Sequence, residues 1–354
     1  MTNRIATGTA IVLNLLWAGS AYSAPAKKPV KKTTQKPKNH IEMGTHQMPG
    51  TNAQFGEVYT ARSGDAAPIN FAITGAEYTV APVWISQGNS AVAKPDEKIV
   101  AVHYRVKNPG KTDYYYDGAF PVHIVDSRNE TIDAIDNVGR SMNGTDEFGA
   151  TLKPGQGAND LVDFFVISAK GPALKLIVDL QPAGTHDKVM RYPIGKGKNI
   201  IKPLQAPYAD PGDTTGATAL PLLKGEIGKE YISGNYSFHV DSFAYAPGPF
   251  GDFTANDGKR FLVVSLTATN ILPVKAYFYG SFVIEGKTAD DSLTDFTLLK
   301  SQSDGEFETR DQNAGEKFPM RMIVQVPADT NLDTFTIRTQ DDGRPVIYDL
   351  SNVK

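Results

Sequence analysis

The chain has 354 residues, with 36 basic and 39 acidic side chains and a formal net charge of −3, which excludes a pervasively basic nucleic-acid-binding protein. Hydrophobic residues make up 40% of the sequence, which is enough to build a core, and the length predicts two folded units. The absence of cysteine excludes disulfide bonds, thiol catalysis, zinc ribbons and blue-copper sites.

Residues 1–23 have the pattern of a secretory signal peptide. Arg4 supplies a positive charge, an apolar run follows from Ala10 to Ala18, and Ala21-Tyr22-Ser23 places small residues before a cleavage point at Ala24. A membrane anchor is the alternative, but the run is about half of the ~20 residues needed to cross a bilayer. We therefore expect an extracytoplasmic protein, whether periplasmic, attached to the cell surface or secreted, without a transmembrane segment.

Residues 24–50 are predicted to form a disordered basic tail. Six lysines and three prolines, with no acidic residue, lie between Ala24 and His40. Such a composition cannot bury enough apolar surface to offset the entropy lost on ordering. The tail can hold the protein near an anionic cell-envelope polymer or near lipid head groups. A spacer that serves only solubility is the alternative.

An internal repeat dominates the rest of the chain. The segment from Asp96 to Phe120 matches the segment from Gly258 to Phe282 at a constant offset of 162 residues. In each copy a run of alternating apolar and polar residues ends in an asparagine, Asn108 or Asn270, and an aromatic stretch follows. Alternating residues should face the core, and the matched core positions include Val102 with Val264 and Tyr104 with Leu266.

Each copy is predicted to be an all-β domain, a β-sandwich of immunoglobulin type. The apolar residues alternate at period two, and clusters of Gly, Pro, Asn and Asp separate about seven short strands per copy. The two sandwiches are expected at residues 56–181 and 228–354. The proline-rich stretch 182–227 is expected to be the linker between them.

The two copies resemble the telokin-like immunoglobulin domains of unknown function found in bacterial secreted and surface proteins. The resemblance rests on the strand that ends in Asn108 or Asn270, the aromatic strand after it, a turn at Pro154-Gly155 or Ala314-Gly315, and a closing apolar strand. Ala314 departs from the turn proline of the first copy. The resemblance implies a secreted module without catalytic activity.

Candidate catalytic and metal-binding residues are scarce. His103, His123 and His239 are predicted to point away from the core, and their spacing does not suit a metal site. The string Gly139–Gly144 has the wrong spacing for a nucleophilic serine, and neither a Walker loop nor an HExxH motif occurs. We therefore expect no metal, no cofactor and no enzymatic activity, although a hydrolytic carboxylate pair is a spatial feature that a sequence does not reveal.

The string Tyr114-Tyr115-Tyr116 is the predicted ligand-binding feature. Because Tyr115 recurs as Tyr277, it is expected to pack within the fold, which leaves Tyr114 and Tyr116 on the outer face. Exposed tyrosines can stack on sugar rings or anchor a protein partner. A cross-strand aromatic pair that stabilises the sheet is the alternative.

Together these features predict a non-enzymatic extracytoplasmic module for binding or adhesion. Its expected partner is an anionic cell-envelope polymer, a glycan or a surface protein, and not a nucleic acid. Two alternatives stay open: a secreted hydrolase with a carboxylate pair, and a structural subunit that assembles through exposed strand edges. The oligomeric state does not follow from the sequence.

Overall fold

The computed structural model describes a defined set of residues. They are residue 44 and residues 52–61, 68–86, 89–117, 121–135, 140–141, 148–179, 189–278, 282–288, 292–300, 310–340 and 343–353. The predicted signal peptide lies outside the described residues, and so does the predicted basic tail apart from Gly44. The predictions for both segments therefore stay predictions.

The described residues form β-strands and no α-helix, which confirms the all-β prediction. The N-terminal half contributes β1 (Tyr59–Ala61), β2 (Ile69–Thr79), β3 (Val83–Ser86), β4 (Asn89–Ala91), β5 (Glu97–Lys107), β6 (Tyr114–Tyr116), β7 (Val122–Val125), β8 (Thr131–Asp133), β9 (Arg140–Ser141), β10 (Ala150–Leu152), β11 (Asn159–Ser168), β12 (Lys175–Asp179), β13 (Val189–Pro193) and β14 (Ile201–Lys202). The C-terminal half contributes β15 (Leu223–Lys224), β16 (Tyr231–Ser233), β17 (Tyr236–Ala246), β18 (Lys259–Asn270), β19 (Ala276–Phe278), β20 (Phe282–Lys287), β21 (Ser292–Leu293), β22 (Thr297–Lys300), β23 (Arg310–Gln312), β24 (Lys317–Pro327), β25 (Thr334–Thr339) and β26 (Val346–Asp349). Across this described part, no helix is long and apolar enough to cross a membrane.

Two sheets enclose the core of the N-terminal half. Sheet A has the strand order β1-β2-β5-β11-β9, with β14 parallel to β2, and sheet B has the order β13-β12-β7-β8. Alternate residues of β5, such as Val102 and Tyr104, are 0% and 1% exposed and join one apolar cluster with Ile124 and Leu176 of sheet B. Burying an apolar side chain of this size stabilises the fold by about 1.5–3 kcal/mol.

The C-terminal half repeats this arrangement. Sheet C has the order β16-β17-β18-β24-β22, and sheet D has the order β15-β26-β25-β20-β21. Val264 and Leu266 of β18 are fully buried, as are their counterparts Val102 and Tyr104 in β5, so both strands have the predicted inward phase. The strand pairing matches as well. In the first copy β5 pairs with β11, where Tyr104 lies opposite Leu161, and in the second copy β18 pairs with β24 in the same way, where Leu266 lies opposite Met320.

The repeated asparagines Asn108 and Asn270 hold equivalent turns. The side-chain amide of Asn108 donates hydrogen bonds of 2.8 and 2.7 Å to the carbonyls of Thr112 and Leu152. That of Asn270 donates hydrogen bonds of 3.0 Å to the carbonyls of Val274 and Gln312. Each side-chain oxygen accepts the N–H two residues ahead, at 2.8 Å in the first copy and 3.0 Å in the second. The asparagines are conserved between the copies because only a short side chain with both donor and acceptor satisfies this turn.

The stretch 182–227, predicted as a linker, contributes strands to both halves where it is described. Met190 and Tyr192 of β13 are fully buried in the core of the N-terminal half, and β13 pairs with β12. Strand β14 pairs with β2, and β15 pairs with β26. The linker was predicted because several prolines suggested an irregular connection. In the structure Pro193 is the last residue of β13, at the edge of sheet B, and Pro203 follows β14. Strands tolerate proline at both kinds of position.

A buried arginine joins the two halves. Arg344, which is 2% exposed, precedes β26, and its Nη2 atom donates hydrogen bonds of 3.3, 3.4 and 2.8 Å to the carbonyls of Lys94, Pro95 and Glu97. Burial lowers the pKa of Arg344 to about 10, so the side chain is charged at neutral pH. A second contact runs from Ser90 Oγ to Asn235 Oδ1 at 2.7 Å. Ile41–Lys354 accordingly form one compact unit.

A buried lysine fixes the end of the N-terminal core. Lys98 is 0% exposed, and its Nζ atom donates to the carbonyls of Ser168, Ala169 and Gly171 at 2.7, 3.1 and 2.7 Å. The ammonium group also lies 5.2 Å from the ring centroid of Tyr78. Burial lowers the pKa of Lys98 to about 8. The lysine therefore ties β5 to the segment that follows β11.

Candidate functional site

The outer face of sheet A forms the floor of a groove. Three adjacent strands present one row in which Glu77 of β2, Ala101 of β5 and Phe164 of β11 lie side by side. In the next row His103 of β5 lies between Gly75 and Val162. Because successive side chains of a strand point to opposite faces, these residues face outward while Val102 and Tyr104 face the core.

A β-bulge in β2 sets this arrangement. The register of β2 against β5 shifts between Ile73 and Gly75, so that Gly75 rather than Thr74 lies opposite His103. A bulge inserts one unpaired residue and changes which residues face outward beyond it. The space beside the backbone of Gly75 is open, since a Cβ there would meet no atom within 4 Å.

His103 is the central polar group of the floor. Its side chain is 28% exposed, and Nε2 lies 3.5 Å from Oε1 of Glu77. The other ring nitrogen, Nδ1, is buried and has no hydrogen-bond partner among the residues that the structure describes. The second carboxylate oxygen of Glu77 accepts a hydrogen bond of 3.2 Å from Nζ of Lys202. The Glu77 carboxylate therefore contacts both His103 and Lys202, one through each of its oxygens.

The segment after β14 forms one wall of the groove. Tyr208 lies half-buried on this wall, and its hydroxyl accepts a hydrogen bond of 2.6 Å from the backbone N–H of Ile232, which belongs to the C-terminal half. The groove has a volume of about 470 Å³ and lies where the two halves meet, so we name it the junction groove. Its lining is Glu77, Tyr78, Thr79, Val80, Ala81, Pro82, Val83, Ala101, His103, Val162, Phe164, Lys202, Pro203, Leu204, Gln205, Tyr208 and Ile232.

The histidine–carboxylate pair of the junction groove is specific to the N-terminal half. Sheet C repeats the bulge, between Val240 and Ser242. Its pairing places Ser265 at the position of His103 and Ala244 at the position of Glu77. The two equivalent positions of the C-terminal half therefore carry neither group, and any binding that requires the pair His103 and Glu77 belongs to the first copy.

A carboxylate is buried inside the N-terminal core. Asp163, which is 4% exposed, extends from β11 toward the interior and accepts a hydrogen bond of 3.2 Å from the hydroxyl of Tyr104. Burial raises the pKa of Asp163 to about 7, against the opposing effects of the Tyr104 hydrogen bond and the positive charge of Arg140. The equivalent position in the C-terminal half is Met322, which lies opposite Val264 just as Asp163 lies opposite Val102.

The predicted ligand-binding tyrosines have a different orientation from the one expected. Tyr116 is 0% exposed in the core and Tyr114 is half-buried, whereas Tyr115 is 61% exposed. The prediction that Tyr116 faces outward is therefore wrong. The recurrence of tyrosine at 115 and 277 reflects a shared exposed position rather than a shared core position, since Tyr277 is 60% exposed and Phe278 is buried.

The two other histidines in the described part of the chain lie outside the lining of the groove. His123 is 2.7 Å from Asp133, and His239 is 3.2 Å from Asp241. Within the described ranges, no group of three or more His, Cys, Asp or Glu side chains could hold a metal ion. The junction groove was not visible in the sequence because its residues come from three strands and a later segment. Only the outward phase of His103 could be read from the alternation in β5.

No protein-family model and no curated protein sequence matches this chain. Among solved structures, it is similar to an uncharacterized beta-sandwich protein from Clostridium difficile 630, with 12% identity and a TM-score of 0.31, covering 36% of this chain and 94% of that protein. The yjhA protein of Bacillus subtilis gives 16% identity and a TM-score of 0.25, covering 35% of this chain and 98% of the other. A putative lipoprotein of Bacillus subtilis, ycdA, gives 13% identity and a TM-score of 0.27, covering 35% and 39%. The fold assignment rests on the strand pairing described above.

Proposed function

We propose that this chain is an extracytoplasmic, non-enzymatic binding protein whose ligand lies in the junction groove. The observation that carries the proposal is the groove itself, a cleft of about 470 Å³ with an apolar floor and with His103 and Glu77 converging on it. Binding sites for small molecules are typically concave and largely apolar, with a few polar groups that fix the orientation of the ligand.

The lining favours a small ligand with a flat apolar body and one hydrogen-bonding group. Phe164, Ala101 and Val162 offer an apolar surface across three strands. The polar group of the floor is the histidine–glutamate pair, in which Nε2 of His103 lies 3.5 Å from Oε1 of Glu77. Lys202 and Glu77 neutralise each other, which disfavours a ligand of high charge.

The groups in the groove support binding rather than hydrolysis. Glycoside hydrolysis uses two facing carboxyl groups, and Glu77 is the one carboxylate in the described lining. The side-chain hydroxyl of Thr79 accepts a hydrogen bond of 3.0 Å from the N–H of Ala81, so it is engaged in the turn after β2. The histidine–glutamate pair therefore orients a ligand in this proposal.

Binding of the fluorescent probe 1-anilinonaphthalene-8-sulfonate tests the proposal, since the probe has fused apolar rings and one polar group. We expect saturable binding that falls at least tenfold in Ala101→Leu, because the larger side chain fills the floor, and in Phe164→Ala, which removes an apolar contact worth about 1–3 kcal/mol. Tyr115→Ala is the matched aromatic control and should bind as the parent does. Unchanged binding by a correctly folded Ala101→Leu variant would refute the groove as the site.

The location of the protein is tested separately. If the first 23 residues are a signal peptide, the mature protein isolated from its host begins at Ala24, and its intact mass shows the loss of the preceding segment. Cell fractionation should then recover it outside the cytoplasm. An intact N-terminus in the cytoplasmic fraction would overturn the extracytoplasmic part of the proposal and leave the groove as a binding site.

A further inference from the structure

A second groove lies on the N-terminal half, bounded by two segments that lie side by side. Residues 170–175 and 194–202 are joined by a hydrogen bond of 3.0 Å from the N–H of Ile194 to the carbonyl of Leu174. Beside it, Lys175 pairs with Pro193, the residue that precedes the second segment. The groove has a volume of about 490 Å³. We name these two segments the lysine-rich edge.

Two aliphatic side chains of the lysine-rich edge are exposed to solvent beside this groove. Leu174 is 42% exposed and Ile200 is 57% exposed, and both line the groove together with Pro172 and Ile194. An exposed aliphatic side chain alone is ordinary, but two that flank one apolar groove form a contiguous patch. Such a patch indicates a surface that contacts another apolar phase.

Several lysines lie close to this patch in the sequence. The two segments contain five lysines and no acidic residue. Lys170, Lys196 and Lys198 are exposed and Lys175 is half-buried, whereas Lys202 pairs with Glu77 on the side of the junction groove. Four lysines therefore remain on the lysine-rich edge within five residues of Leu174 or Ile200 in the sequence.

A loop on the remaining side of the groove carries one carboxylate, Asp213. Thr214, Thr215 and Ala217 line the groove, and Asp213 precedes them. The Asp213 carboxylate accepts hydrogen bonds from the backbone N–H groups of Thr215, Ala217 and Thr218, at 2.8, 3.1 and 2.6 Å. The hydrogen bond from the Thr215 hydroxyl and these backbone hydrogen bonds lower the pKa of Asp213, so its carboxylate is ionised at neutral pH and reduces the net positive charge beside the groove.

We propose that the lysine-rich edge binds the surface of a bilayer that contains anionic lipids. The lysines match the negative head groups, and Leu174 and Ile200 insert between them into the acyl boundary. Peripheral membrane binding combines these two contributions, buried apolar area and attraction to anionic lipids. A soluble acidic polymer would match the lysines but would leave both aliphatic side chains in water.

Co-sedimentation with vesicles tests this proposal in the full-length mature chain, so that the basic tail is the same in every sample. The vesicles contain equal amounts of phosphatidylglycerol and phosphatidylcholine, with phosphatidylcholine alone as the uncharged comparison. We expect Lys196→Gln/Lys198→Gln to weaken binding more than tenfold, at about fivefold per lysine near an anionic surface. Leu174→Ser/Ile200→Ser should weaken it by about tenfold through lost apolar burial.

Matched controls come from the rest of the chain. Leu222 and Ile227 are 52% and 60% exposed on the C-terminal half, and Leu222→Ser/Ile227→Ser should bind vesicles as the parent does. Lys153→Gln/Lys259→Gln, at two exposed lysines elsewhere, controls for total charge. If both control pairs lose as much binding as the test pairs, the effect is not specific to the lysine-rich edge and the proposal is wrong. It is equally wrong if Leu174→Ser/Ile200→Ser binds like the parent, because charge alone then explains the binding.

Discussion

Replacing Asp163 by asparagine should make the N-terminal half more stable at neutral and alkaline pH. Burial raises the pKa of the folded carboxyl group from 3.8 to about 7. The folded state therefore holds a proton between about pH 4 and pH 7 that the unfolded state has released, and stability falls as pH rises through this window. At about 1.36 kcal/mol per pKa unit, the cost of the ionised group above pH 7 is about 4 kcal/mol.

Asparagine keeps the size of the side chain and an oxygen that can accept the hydrogen bond from Tyr104, but it carries no charge. We expect Asp163→Asn to match the parent at pH 4 and to exceed its unfolding free energy by about 2–4 kcal/mol at pH 8. Urea unfolding followed by the fluorescence of Trp84, which lies in β3 of the same half, measures this difference.

Asp160→Asn is the matched control on the same strand. Its carboxylate is 43% exposed and pairs with Arg105 at the surface, so its removal should change stability by less than about 1 kcal/mol at either pH. Comparing variant with parent at each pH cancels the titration of all other groups. An Asp163→Asn variant with the same pH dependence as the parent would show that the buried carboxyl group does not titrate near pH 7 and would refute the reasoning.

Three further predictions follow from buried polar contacts. Asn108→Ala and Asn270→Ala should each lower the unfolding free energy by a similar amount, about 2–3 kcal/mol, because equivalent turn hydrogen bonds are lost; urea titration of each full-length variant measures this. Arg344→Met should lower the thermal unfolding midpoint and expose the junction to amide hydrogen exchange, since three carbonyls lose their donor. Lys98 should titrate near pH 8 in an NMR experiment, and Lys98→Met should cost about 1–3 kcal/mol; a midpoint near 10 would contradict burial of the ammonium group.

The repeat and the strand alternation made the core predictable. Val102 and Val264 face the core as predicted, because only one set of alternate residues in a half-buried strand can face the core. Which tyrosines of β6 face the core was not predictable in the same way. A strand of three tyrosines has no polar residue to mark its outer face, so the recurrence of Tyr277 gave the wrong side.

The candidate site was beyond the reach of the sequence for a different reason. His103, Glu77 and Phe164 become neighbours through the pairing of three strands and through the bulge at Thr74, neither of which leaves a local motif. The wall at Tyr208 comes from the stretch predicted as a linker. Residues that are far apart in the chain and that meet across strands can be identified only when the register is known.

The parallel pairing of β15 with β26 determines how the C-terminal half responds to a pulling force. The C-terminal half begins at Leu223 of β15, and its last strand, β26, ends at Asp349. Hydrogen bonds join the two strands, from the N–H of Leu223 to the carbonyl of Pro345 and from the N–H of Gly225 to the carbonyl of Ile347. Because the strands run in the same direction, tension between the two ends slides them past each other along their length. The hydrogen bonds then carry the load together as shear instead of opening one after another, so we expect this pairing to resist a force that pulls the two ends of this half apart.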